Sequence, residues 1–202
     1  MPLWLAADPL VLASQSAVRR SLLTAAGIPV EVRPAAIDER RLEAEAGGKD
    51  ASAVAALLAQ EKARDVVARM PGRLVLGADQ TLALGNRSFS KAADRAGAAV
   101  QLRALRGQTH TLHSALAVAR DGEVIFAHSD AVRLTMRAFS DEFLEAYLNA
   151  AAGAVTAGVG SYQLEGPGIQ LFERVEGDYF TVLGLPLLPL LDFLRREHLL
   201  SA

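Results

Sequence analysis

Residues 10–27 restrict what this chain can become more than any other stretch. Leu10, Val11, Leu12 and Ala13 form an apolar run that predicts a short buried strand over 10–13. Ser14, Gln15 and Ser16 follow, then a helical stripe of Leu22, Leu23 and Ala26 that stops at Gly27. A strand that turns directly into a helix leaves free backbone N–H groups at the junction. These groups lie at the positive end of the helix dipole, so the junction suits an anion. Ser16, Arg19 and Arg20 stand at i, i+3 and i+4 and share a helix face. With Ser14 they bring two hydroxyls and two guanidiniums to one small volume, and phosphate suits such a set because a planar guanidinium holds two of its oxygens at once. Taken alone, the stretch fits a serine-capped surface helix with solvated arginines slightly better.

Bulk properties narrow the choices. A chain of 202 residues, 51% hydrophobic, can bury one core or two lobes that share a sheet. A net charge of −2 argues against a protein that holds nucleic acid by bulk charge. The absence of cysteine excludes disulfides, zinc–thiolate centres and cysteine nucleophiles. The first eight residues lack the basic region of a signal peptide, and the apolar run over 182–191 is short and holds Pro186 and Pro189. A soluble cytoplasmic protein without membrane or nucleic-acid partners is the expectation. Of 21 basic residues only Lys49, Lys62 and Lys91 are lysines, a weak hint that a compact point charge is wanted there.

Further along, a strand is expected over 29–33, and Asp38 and Glu39 fall in a loop where phosphates could turn them into cation ligands. Gly47 and Gly48 mark a break. A helix capped by Asp50 or Ser52 runs to about 69, with an apolar stripe of Val54, Leu57, Leu58, Val66 and Met70. Lys62 lies on that stripe, either snorkelling or aimed into a cleft. An apolar strand over 74–79 ends in Asp79, placing an acid at the carboxyl end of a strand, where α/β sheets concentrate their chemistry. A second strand over 82–86 closes in a Gly–Asn turn. Lys91 opens a helix over 92–106, where a cation opposes the dipole unless an anion is present. A three-strand meander over 109–119, 123–127 and 131–139 reads as scaffold, and its histidines, His110, His113 and His128, are assigned no role. A helix over 141–150 follows. A glycine-rich stretch over 153–168 then carries Gln163 and Glu165 as hydrogen-bonding arms. Strands over 169–175 and 179–183 and a helix over 187–198 complete the chain.

With these residues set out, the chain resembles the Maf family of nucleotide pyrophosphatases, relatives of the inosine-triphosphatase-like enzymes, over nearly its whole length. The anchors are the opening motif over 12–23, then Ile37, Asp38 and Glu39, the Glu61–Lys62–Ala63 triplet, and Gly77, Ala78 and Asp79. Lys91, the 107–110 segment, the 173–180 segment and Gly184, Leu185 and Pro186 follow in order. The resemblance implies a single domain over 1–202 with an α/β fold: an elongated mixed sheet flanked by helices, in two lobes with a central cleft. It implies hydrolysis of a nucleoside triphosphate to monophosphate and pyrophosphate, aided by a divalent cation (Mg, Mn or Co), in a homodimer. Asp79 matches the family's general base. Ser14, Arg19, Arg20, Glu39, Lys62 and Lys91 match its polar site, with Ser16 added as a phosphate contact; Asp79, Glu39 and Asp38 would hold the cation.

Base choice rests on Val18, Gln80 and Glu165. Gln80 and Glu165 match the family branch that acts on 7-methyl-GTP, whereas Val18 matches neither that branch nor the dTTP/UTP branch. Ala92 stands where the family usually has proline, which implies a looser loop after Lys91. Two readings stay beside a 7-methyl-GTP-like enzyme: a dTTP/UTP pyrophosphatase, and a non-catalytic nucleotide-binding regulator of cell division.

Overall fold

The computed structural model describes residues 2–46 and 50–201. The Gly47–Gly48 break lies outside the described residues. Seven strands form one mixed sheet in the order β2-β1-β3-β5-β6-β7, with β4 paired to β3. They are β1 (Leu10–Leu12), β2 (Val30–Val32), β3 (Val75–Leu84), β4 (Arg87–Phe89), β5 (Thr109–Arg120), β6 (Glu123–Met136) and β7 (Phe172–Glu176). The helices are α1 (Ala17–Ala25), α2 (Glu39–Glu45), α3 (Ala51–Val67), α4 (Arg95–Leu105), α5 (Asp141–Ala151), α6 (Tyr179–Val182) and α7 (Leu187–Arg196). The mixed α/β architecture agrees with the expectation. Among the described residues, no helix is long and apolar enough to cross a membrane.

The sheet changes character at β3. Val75 and Leu76 at its start pair parallel with β1, and Val75 to Ala83 pair antiparallel with β5. The strands expected over 74–79 and 82–86 are therefore one continuous strand. Asp79 lies in the middle of it, not at its carboxyl end, because pairing to β5 carries on through Asp79, Gln80 and Thr81. The parallel partner β1 has already ended at Leu12, so Asp79 stands beside the mouth that β1 leaves open. Likewise, the three-strand meander is a two-strand hairpin, since β6 runs unbroken from Glu123 to Met136 along β5. Three further expectations are corrected. Asp38 and Glu39 begin a short helix rather than a loop, because the Asp38 carboxylate caps the Arg41 N–H. Residues 179–182 form helix α6, capped by Asp178, rather than a strand. The 153–171 region winds through short 3₁₀ turns before β7.

The core divides where the cleft opens. Leu10, Leu12, Leu76, Leu116 and Val118 pack against α1 and α7 on one sheet face. Val11, Val75, Ala115 and Ala117 meet α3 on the other. A separate cluster joins Leu82, Leu112, Val132 and Leu134 to α4 and α5.

The buried face of α3 is Ala55, Leu58, Ala59, Lys62, Ala63, Val66 and Val67, a smaller-residue stripe than the one expected. Small residues let α3 approach β3 closely, and the reason lies opposite them at Gly77. A Cβ on Gly77 would sit 2.1 Å from the Ala59 carbonyl oxygen and 2.7 Å from the Ala63 nitrogen. Any side chain there would force helix and strand apart. Lys62 lies one residue before Ala63 and Asp79 two residues after Gly77, so this contact sets how far the lysine must reach.

Candidate active site

A cleft of about 650 Å³ lies between the two halves of the core. Its lining includes Ser14, Ser16, Val18 and Arg19 from the β1–α1 junction, and Glu39 and Glu43 from α2. Lys62 from α3, Asp79 and Gln80 from β3, Lys91, Glu165 and Gly184 also face it. The structure thus brings together ten of the twelve site residues expected from sequence. Arg20 and Asp38 stay outside. Successive helical residues diverge by 100°, so Arg19 turns inward and is buried while Arg20 is left exposed. Asp38 spends a carboxylate oxygen as the cap of α2.

At the centre Lys62 links two carboxylates. Its Nζ lies 2.6 Å from Asp79 Oδ1 and 3.0 Å from Glu39 Oε1. The Lys62 and Asp79 side chains are each only 10% exposed, whereas Glu39 is 50% exposed. The cleft reading of Lys62 therefore holds over the snorkelling one. Asp79 Oδ2 has no protein partner among the described residues. Glu43, one helical turn beyond Glu39, is a lining residue that the sequence reading missed. Partial burial pushes its carboxyl above the usual range, with Asp79 and Glu39 adding to the rise and Lys62 and Arg40 opposing it. The signal was present as an i, i+4 pair of acids, Glu39 and Glu43, but α2 was read as a loop.

The β1–α1 junction has the anion-seat geometry expected of it. Ser16 caps α1, and its Oγ accepts from the Arg19 N–H at 3.3 Å. Ser14 Oγ accepts from the Ser16 N–H at 3.3 Å and from Arg19 Nη1 at 3.1 Å. Both hydroxyls keep their own hydrogens to donate. Ala17 and Val18, in the first turn of α1, line the cleft, and their backbone N–H groups have no intrahelical acceptor. Arg19 also donates from Nη1 to the Ala78 carbonyl at 2.9 Å and from Nε to the Gly184 carbonyl at 2.8 Å. Burial lowers its pKa, and the Asp79 and Glu39 charges act against that fall. Most of its donors are thus spent bracing β3 and the turn after α6, leaving Nη2 without a protein acceptor among the described residues. Lys91 lies ahead of the α4 cap, Asp94, and is exposed on the rim. Ala92, which stands where the family usually has proline, is buried in the same cluster as Phe89.

The neighbouring Gln80 side chain is equally determined. Gln80 Nε2 donates to Ser114 Oγ at 2.9 Å and to the carbonyls of Thr181 and Val182 at 3.1 and 3.0 Å. Carbonyls only accept, so the amide must point this way, and Gln80 has only its Oε1 acceptor left to offer. On the glycine-rich wall, a Cβ on Gly168 would lie 2.3 Å from the Gln163 carbonyl oxygen. A glycine there lets the 163–168 loop, which presents Glu165, fold tightly on itself. His110, assigned no role, is buried and shares a 2.7 Å hydrogen bond with Tyr162 Oη beneath this wall. Burial lowers its pKa to about 4, so the ring is neutral at physiological pH.

Could this site hold a divalent cation? Among the described residues, no three acidic, histidine or cysteine side chains are grouped as a ready-made cage. Lys62 occupies the space between Asp79 and Glu39. Hard carboxylate oxygens are nonetheless the correct donors, and magnesium sites commonly combine one or two carboxylates with substrate phosphates. The residues fit a cation that arrives with, and is largely coordinated by, a polyphosphate.

The Maf-like protein family model matches residues 9–197. The chain is 55% identical over 201 residues, a coverage of 100% on both sides, to a nucleoside triphosphate pyrophosphatase of Rhodopseudomonas palustris strain BisB18. A protein of the same name from R. palustris strain ATCC BAA-98 / CGA009 is 56% identical over 202 residues, again a coverage of 100% on both sides. A 7-methyl-GTP pyrophosphatase of Rhizobium etli is 51% identical over 188 residues, covering 92% of this chain and 94% of that protein. The chain belongs to the Maf-like protein family.

Proposed function

We propose that this protein is a nucleoside triphosphate pyrophosphatase that cleaves between the α- and β-phosphates, with a preference for a 7-methyl-GTP-like base. The observation that carries the reading is the buried Lys62 bridge to Asp79 in the same cleft as an anion seat at the start of α1. Family membership and the full-length likeness to proteins named as such enzymes support it.

In this reading Asp79 Oδ1 is fixed by Lys62, and Oδ2 accepts a hydrogen bond from the attacking water. The water oxygen bonds to the α-phosphorus as the bond from that phosphorus to the α,β-bridging oxygen breaks. The water proton passes to Asp79 and then to solvent, and pyrophosphate departs with the bonding electron pair. Ser14, Ser16, the first N–H groups of α1 and Arg19 Nη2 hold phosphoryl oxygens, and Lys62 and Lys91 offset the charge that grows during the displacement. Asp79 and Glu39 would hold a divalent cation (Mg, Mn or Co), which would supply further neutralisation of phosphate charge.

Gln80 Oε1 and the Glu165 carboxylate both accept hydrogen bonds. A guanine edge offers two adjacent donor groups and uracil or thymine offers one, so two acceptors suit guanine better. A methylated, cationic guanine gains further from Glu165. The relative named 7-methyl-GTP pyrophosphatase supports this choice. The test is pyrophosphate release from 7-methyl-GTP, GTP, ATP, CTP, dTTP and UTP with Mg²⁺, Mn²⁺ or Co²⁺. The expected result is a kcat/KM at least about 10-fold higher for 7-methyl-GTP than for the pyrimidines, the discrimination of one extra satisfied polar contact. A pyrimidine preference would overturn the base assignment, and nucleotide binding without turnover of any of them would overturn the enzyme.

A further inference from the structure

Two cleft walls that are far apart in sequence are joined by one side chain on α4. Gln101 Nε2 donates to the Ser90 carbonyl at 2.6 Å, and Gln101 Oε1 accepts from Ser161 Oγ at 3.2 Å. The carbonyl can only accept, so the amide orientation is fixed. Ser90 immediately precedes Lys91. Ser161 immediately precedes Tyr162 and the Gln163–Glu165 wall.

The backbone at Ser161 is unusual. Its φ is +62°, a conformation few residues other than glycine adopt, and Gly160 beside it has φ +81°. A Cβ on Gly160 would lie 2.5 Å from the Tyr162 ring, so the turn is pressed against that wall residue. Ser161 is fully buried, its carbonyl accepts from Tyr147 Oη at 3.0 Å, and its hydroxyl is the group that meets Gln101. A strained residue persists only where its surroundings over-determine it. Here two side chains, from α4 and α5, hold it.

We propose that Gln101 is a positioning residue that sets the distance between Lys91 and the Tyr162–Glu165 wall, so that one nucleotide can engage both. The inference rests on the reading of Lys91 as a phosphate contact. Removing the amide frees the Lys91 loop on one side and relaxes the Ser161 turn on the other. Gln101 touches no substrate, so its effect passes through the spacing between Lys91 and that wall, and it fades once Lys91 no longer engages the nucleotide.

The test is a double-mutant cycle of Gln101→Ala and Lys91→Ala, with kcat and KM measured for 7-methyl-GTP and GTP. Gln101→Ala alone should lower kcat/KM by about 10-fold or more, with KM carrying much of the change, within the cost known for a slightly misplaced group. In the Lys91→Ala background the same change should cost less than about 2-fold. Gln101→Glu, which keeps the acceptor for Ser161 but faces the Ser90 carbonyl with a carboxylate, should reproduce the loss and supplies the cycle if the alanine variant fails to fold. Equal losses in both backgrounds, or none in either, would overturn the proposal while leaving the activity intact. A wild-type protein inactive on every nucleotide would overturn both readings.

Discussion

Asp79→Asn should lower kcat for the best substrate by about 10³-fold, within the range that a positioned general base contributes. The fold should survive. Asparagine keeps an oxygen for Lys62 Nζ, and Lys62 retains Glu39 at 3.0 Å as its charged partner. Binding of the triphosphate should be unchanged or tighter, because one negative charge is removed from beside the phosphates. A large fall in kcat with undiminished affinity separates loss of the base from loss of the site. A variant with full turnover would take the chemistry away from Asp79.

Lys62→Met should have the second large effect, and it should strike both stability and rate. Methionine fills the path of the lysine stem between α3 and β3 but leaves Asp79, Glu39 and Glu43 facing one another without the cation between them. Removing one partner of a buried pair costs about 3–5 kcal/mol. The half-exposed Glu39 and the open cleft put this case near the low end, about 3 kcal/mol, measurable by urea unfolding. Turnover should fall by about 10²–10³-fold, as for loss of one preorganised donor in a charge-developing transition state. Lys62→Arg should not rescue it fully. The close approach of α3 at Gly77 leaves room for a compact ammonium at 2.6 Å, and a planar guanidinium demands a different reach. Wild-type stability and rate in Lys62→Met would mean that the bridge is incidental.

Much of this site was legible because its parts obey local rules. The strand–helix turn at Ser14 to Arg19 offered an anion seat beside a plain serine-capped helix, and the Ser16 and Asp50 caps fell where the sequence allowed them. What escaped the sequence depends on contacts between distant segments. The division of duties between Arg19 and Arg20 is decided by the carbonyls of Ala78 and Gly184, which belong to other elements. The alanine stripe of α3 carried too little hydrophobic weight to stand out, yet it meets the glycine that brings helix and strand together. Strand ends were missed at Asp79 and Ala127 because turn-like or polar residues interrupted the apolar runs, while pairing to β5 carried both strands on. The roles of Gln80 and Gln101 were closed to any local reading, since each is defined by acceptors on segments far along the chain.

In the proposed reaction, water attacks the α-phosphorus in the cleft around Asp79. The most direct measurement is hydrolysis of 7-methyl-GTP in ¹⁸O-labelled water, with mass analysis of both products. The expected result is label in the nucleoside monophosphate and unlabelled pyrophosphate. Label in the pyrophosphate, or release of labelled orthophosphate, would place the attack at another phosphorus and contradict it.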